Sequence, residues 1–224
     1  MKKLTLIACL LTIITVSANS QAPGQYIHNP KGAIAEEFGE GNVSGIEYAE
    51  NGTVKTINGE LDKGITAVDP LDKCYEFFDI HKHLFGLDNP RDELVFLNKA
   101  SGFPIYAFRQ YYNGIQIGSH RAMVSFSSDE KYSITGVWGD FVTEVKSLSS
   151  SPAISEKEAI EIATNEYVAQ KHEVEAEFRK AELRYLVVED GSYYLGWIIY
   201  ISFRGYHVDA MTGEVKKSFN SFRQ

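Results

Sequence analysis

The sequence predicts an α+β fold built twice, as two units in which one amphipathic helix packs on an antiparallel sheet. Three observations carry this. Two stretches place apolar residues at helical spacing behind a capping residue, Asp69 in one and Ser155 in the other. Each is followed by several short β-prone runs divided by Asn- and Gly-containing turns. Between them lies Leu148-Ser149-Ser150-Ser151-Pro152, small and polar, which reads as a seam.

The chain begins with Lys2 and Lys3, an apolar run from Leu4 to Val16, and small residues at Ser17, Ala18, Ser20 and Ala22. This is the pattern of a secretory signal peptide over residues 1–22. The run falls short of the ~20 apolar residues that spanning a bilayer requires, and no later stretch approaches it, so no transmembrane segment is expected. Leu6-Ile7-Ala8-Cys9 has the form of a lipobox, which would anchor the chain at Cys9. The apolar run continues past Cys9, however, so cleavage near Ala22 and a secreted or periplasmic product are the expectation.

Residues 23–40 hold Gly, Pro, Gln and Asn without a sustained period and read as a poorly ordered leader. Val43 to Ala49 and Thr53 to Ile57 are strands about the Glu50-Asn51-Gly52 turn. Asp69 then N-caps a helix with Pro70 in its first turn, where the missing N–H is not needed. Leu71, Cys74, Phe78, His81 and Phe85 share one helical face, and Gly86 stops the helix. Strands follow at Leu94 to Leu97, Ile105 to Tyr112, Ile115 to Ile117, Ala122 to Phe126 and Tyr132 to Val137. Asn113-Gly114 is the strongest hairpin signal in the chain.

The second unit opens on a capping box, Ser155 with Glu158, and buries Ala159, Ile162, Ala163 and Tyr167. Strands are predicted at Leu183 to Val188, Leu195 to Phe203, Tyr206 to Val208 and Glu214 to Phe219. The expected organisation is a first domain over 41–146, a linker over 147–153, a second domain over 154–220 and a tail over 221–224. The two units share no evident sequence repeat.

Composition excludes some functions. The net charge is −8, and loss of the signal with its two lysines moves it to about −10, a poor surface for binding nucleic acid. Without Cys9, Cys74 stands alone, on the apolar stripe of a helix, where a thiol is structural rather than nucleophilic. His81 and His83 project to different faces of a regular helix and cannot chelate together. No phosphate loop or G-x-S-x-G elbow is present.

Residues 69–138 nevertheless carry a distinctive combination: Phe77, Phe78, Phe85 and Gly86 around a helix end, then Arg109-Gln110-Tyr111-Tyr112-Asn113-Gly114 and Ile117-Gly118. This resembles the FTP domain, the N-terminal half of the propeptides of thermolysin-like and fungalysin-like secreted metallopeptidases. Residues 154–219, with Ile154-Ser155-Glu156-Lys157-Glu158-Ala159, Trp197 and Tyr206-His207-Val208-Asp209-Ala210-Met211-Thr212-Gly213-Glu214-Val215, resemble the PepSY domain that forms the second half.

The resemblance implies two cystatin-like units and a role as chaperone and inhibitor of a peptidase. That peptidase needs a helix bearing H-E-x-x-H, in which two His bind Zn²⁺ and the Glu is the base. None of His28, His81, His83, His120, His172 or His207 begins such a motif. The expectation is a free-standing propeptide-like chain with no catalytic, cofactor or metal residues of its own. Its partner would be a thermolysin-like zinc metallopeptidase supplied in trans. The alternatives are a general extracellular ligand- or peptide-binding module, or the relic of a truncated precursor.

Four residues are candidates for partner contact. Arg109 and Tyr111 belong to types enriched at binding hot spots, although strand alternation alone also accounts for them as one face of a sheet. In the resembling precursors the segment after the PepSY unit leads through the peptidase cleft. A carboxylate at Gln224 would there approach the Zn²⁺ as a product does, with Phe222 in an apolar subsite; an ordinary frayed terminus is the plainer account.

Overall fold

The computed structural model describes residues 26–29, 31–129, 131–170 and 175–221. It is a mixed α+β structure with few helices and one large, mostly antiparallel sheet. Eleven strands form it: β1 (Tyr26–His28), β2 (Val43–Tyr48), β3 (Val54–Gly59), β4 (Leu94–Lys99), β5 (Ile105–Tyr112), β6 (Ile115–Phe126), β7 (Ile134–Gly139), β8 (Phe178–Val187), β9 (Tyr193–Ile201), β10 (Arg204–Asp209) and β11 (Val215–Asn220). The helices are α1 (Ala33–Phe38), α2 (Pro70–His81), α3 (Pro90–Glu93) and α4 (Glu156–Ala169).

The sheet branches at β6. One edge of β6 pairs with β5, and β5 with β4. The other pairs over Ala122–Phe126 with β7 and, near its start, with β8. From β7 the sheet continues to β3, β2 and β1, and from β8 to β9, β10 and β11. The β6–β8 junction is a short parallel contact, Gln116 beside Arg184 and Ile117 beside Tyr185. The two runs of strands expected as separate sheets are therefore fused.

Each run has its own core. Under α2, Phe77, Phe78 and Phe85 meet Phe108, Val124, Val137 and Phe141. Under α4, Ala159, Ala163 and Tyr167 meet Tyr185, Trp197, Ile199, Tyr206 and Val208. The segment leaving β7 runs between them, with Phe141 in the first core and Val142 and Val145 in the second. Trp197 donates from Nε1 to the Ile154 carbonyl at 3.2 Å, so it is a core residue with its one polar atom satisfied.

The helix starts follow their sequence signals. Asp69 Oδ1 accepts from the N–H groups of Leu71 (2.9 Å) and Asp72 (3.2 Å). Ser155 and Glu158 form both halves of a capping box. The Asn113-Gly114 turn has φ of 49° and 76°, the left-handed pair that a tight hairpin demands.

Three expectations need correction. Residues 23–40, read as a leader without regular structure, contribute β1 and α1, and Phe38 is fully buried in the first core. Six helical residues with one fully buried anchor are too short to show a period. The runs at 115–117 and 122–126 are one strand, because the intervening Gly118 (φ 44°), Ser119 and His120 form a bulge and not a turn. Finally, the helix from Asp69 ends at His81 and tightens into a 3₁₀ turn over Lys82–Leu84.

Candidate functional site

The distinctive combination around α2 and β5 is put together by packing. Gln110 is buried, and its side-chain amide clamps the backbone of Val142: Nε2 donates to the carbonyl at 2.9 Å and Oε1 accepts from the N–H at 2.9 Å. Asn51 donates from Nδ2 to the Phe141 carbonyl at 2.8 Å. The rings of Phe85 and Phe141 lie 4.7 Å apart. Gly86 has φ of 64°, and a Cβ there would stand 2.4 Å from Thr143 Cγ2. Four signals at scattered positions thus hold one segment, Phe141–Thr143, between the two cores. Their work is structural.

The side of the sheet away from α2 and α4 carries two of the residues singled out in the sequence. Along β5, Tyr106, Phe108 and Gln110 are buried towards the helices, which turns Ala107, Arg109 and Tyr111 to the opposite face. Two of the four sequence candidates therefore lie side by side on a helix-free surface. Arg109 stands directly opposite Arg121 of β6, and Tyr111 opposite Gln116, whose Oε1 lies 3.5 Å from the Tyr111 hydroxyl. Phe222 and Gln224 lie outside the described residues. Arg121 was missed in the sequence because it falls between the predicted strands at 115–117 and 122–126. The Asn113-Gly114 hairpin extended in regular register would have set Gly118, not Arg121, opposite Arg109; the bulge at 118–120 makes the difference.

Next to Arg121 is a shallow depression of about 360 Å³ that includes Lys55, His120, Met123, Trp138 and Asp140. Lys55 is paired with Glu47 at 3.6 Å. His120 Nε2 lies 3.0 Å from the hydroxyl of Tyr193 on β9, a contact between the two halves of the molecule. Burial pushes the His120 pKa down, against the opposing pull of Asp140 and Glu144, which favours the neutral ring.

The other reactive side chains are engaged in the fold. Cys74 is buried, and burial pushes its thiol far up, away from the reactive thiolate. His81 and His83 do converge, but on Glu37 of α1: His81 Nδ1 bonds one carboxylate oxygen and His83 Nε2 lies 3.4 Å from the other. The 3₁₀ turn after His81 brings them to one point, which a regular helix would not. Among the described residues, no group of three or more His, Cys, Asp or Glu is arranged to hold a metal ion. No described helix is long and apolar enough to cross a membrane.

No family model matches the chain. Its sequence is similar to neutral protease B of Bacillus subtilis (strain 168), 25% identical over 167 residues, covering 68% of this chain and 30% of that protein. The chain thus matches less than a third of that relative's length. Among solved structures, the Bacillus megaterium YpeB C-terminal domain is similar with a TM-score of 0.38 and 16% sequence identity. The match covers 92% of this chain and 91% of that one.

Proposed function

We propose that this protein is a secreted, non-catalytic, propeptide-like module that inhibits a thermolysin-like metallopeptidase in trans, assists its folding, or both. The similarity to part of neutral protease B carries the reading, and it is supported by the absence of H-E-x-x-H from these 224 residues. In this reading residues 1–22 are a signal peptide. Residues 41–146 and 154–220 are two cystatin-like units joined by 147–153, with β1 and α1 docked on the first. The helix-free face bearing Arg109 and Tyr111 meets the peptidase, and the tail over 221–224 brings Phe222 and the Gln224 carboxylate towards its Zn²⁺. Buried structural side chains and a broad open sheet face suit a binding protein better than an enzyme.

The test mixes the purified protein with a panel of thermolysin-like peptidases, including any encoded beside it, and records residual activity and the yield of peptidase refolded from denaturant. Saturable inhibition at micromolar concentration or a raised refolding yield is expected. If neither changes for any enzyme at large molar excess, the reading is wrong.

A further inference from the structure

We propose that Arg109 and Arg121 form a carboxylate-recognition site on the helix-free face, and that its occupant is an acidic segment of a protein partner. This names the partner's chemistry within the binding-module reading.

The fold alone disfavours the arrangement of these two residues. Arg109 and Arg121 are directly opposite one another on adjacent antiparallel strands. Residues so placed have Cβ atoms ~5 Å apart on the same face, and like charges there destabilise the pair. Among the described residues, neither guanidinium has an ion pair or a hydrogen bond to another side chain. Two other cations of this face are paired, Lys55 with Glu47 and Arg184 with Glu182. Asp140 borders the same depression as Arg121 and does not bridge to it. In a chain carrying 30 acids against 22 bases, two uncompensated arginines are easier to pair than to oppose.

Their surroundings specify the ligand. Each guanidinium offers a planar fork of donors matched to a carboxylate, and two forks on directly paired residues of neighbouring strands are within reach of one such group. On the same face, one pair along the strands, Met123 stands opposite Trp138, giving apolar ground for the partner's main chain and flanking side chains. Val95 lies opposite Arg109 on β4 and is 45% exposed, extending that ground on the other side. His120 is driven towards its neutral form by burial, so it does not compete for the anion at neutral pH.

The probe is a fluorescent decaglutamate peptide titrated into the full chain at low salt, with decaglutamine as control. Decaglutamate should bind despite the protein's net negative charge, with affinity falling as salt is added. The control should not bind. Replacing both residues, Arg109→Gln with Arg121→Gln, should weaken binding about tenfold or more. Arg121→Glu provides a second variant: it gives Arg109 an internal partner, so it should abolish binding while leaving the melting temperature unchanged or higher.

No binding of decaglutamate by the wild type, equal binding of the two peptides, or undiminished binding by the folded variants would each overturn the proposal. A failed peptidase assay would remove the proposed enzyme and leave this result standing, because the peptide titration contains no peptidase.

Discussion

At the scale of single residues, the fold is held by a few positions with little freedom, and Gly86 is the sharpest case. Its φ of 64° lies in the left-handed region, and any Cβ would press on Thr143 Cγ2 at 2.4 Å and Thr53 Cγ2 at 3.2 Å. A left-handed alanine costs ~1–2 kcal/mol and a crowded methyl ~1–3 kcal/mol more. Gly86→Ala should therefore destabilise the protein by about 2–5 kcal/mol in urea unfolding. Thr143→Ser removes the obstructing methyl, so the double variant should recover the steric part and retain the backbone part. If Thr143→Ser gives no recovery, the close approach is not what excludes alanine. In the Glu50-Asn51-Gly52 turn it is Gly52 that takes positive φ (83°), while Asn51 accepts from the Thr53 N–H at 3.1 Å and donates to the Phe141 carbonyl.

Among the elements, those specified by their own residues were legible in advance and those specified by distant contacts were not. The two long helices carry local caps and local periodicity, and the hairpin at Asn113-Gly114 is fixed by two residues that tolerate positive φ. Nothing local announces α1. It is fixed by burial of Phe38, stacked 4.3 Å from His81, by the Glu37 bonds to His81 and His83, and by Lys63 Nζ donating to the Glu36 carbonyl at 2.6 Å.

That attachment should depend on pH. Half-burial pulls the Glu37 pKa up, but the hydrogen bond and charge of His81, with His83 adding to them, outweigh it and hold the carboxyl below its ordinary 4.5. Tyr48 also faces it. A carboxylate with a depressed folded-state pKa contributes stability that is complete above its unfolded value and lost as pH falls through the folded one. Wild type should therefore exceed Glu37→Gln by ~1 kcal/mol at pH 7, allowing for solvent screening, with the difference shrinking as pH falls below the ordinary carboxyl value and through the depressed folded-state one. Urea midpoints at several pH values measure this. A difference that persists unchanged into acid would mean the carboxylate charge is not what fastens α1.

Across the whole molecule, the question is how tightly two cores on one sheet are coupled. Their junction includes the short parallel contact of β6 with β8, the ends of β5 and β6, whose Tyr112, Ile115 and Ile117 pack in the second core, the His120–Tyr193 contact, and the Phe141–Val145 segment clamped by Gln110. The clamped segment sends side chains into both cores, so it should carry part of the coupling. Gln110→Leu leaves the buried Val142 N–H and C=O without their partner, at ~1–3 kcal/mol for each unsatisfied group. It should also loosen the link itself. The chain's two tryptophans divide between the runs of strands, Trp138 on β7 and Trp197 on β9, so Trp197→Phe and Trp138→Phe backgrounds each report one half. In wild type the two fluorescence transitions in urea should coincide, as expected of one cooperative unit. With Gln110→Leu they should separate, the weaker half unfolding first. Separate transitions in the wild type would mean that the fused sheet does not couple the cores; coincident but weakened transitions in the variant would shift the coupling from the glutamine clamp to the β6–β8 contact.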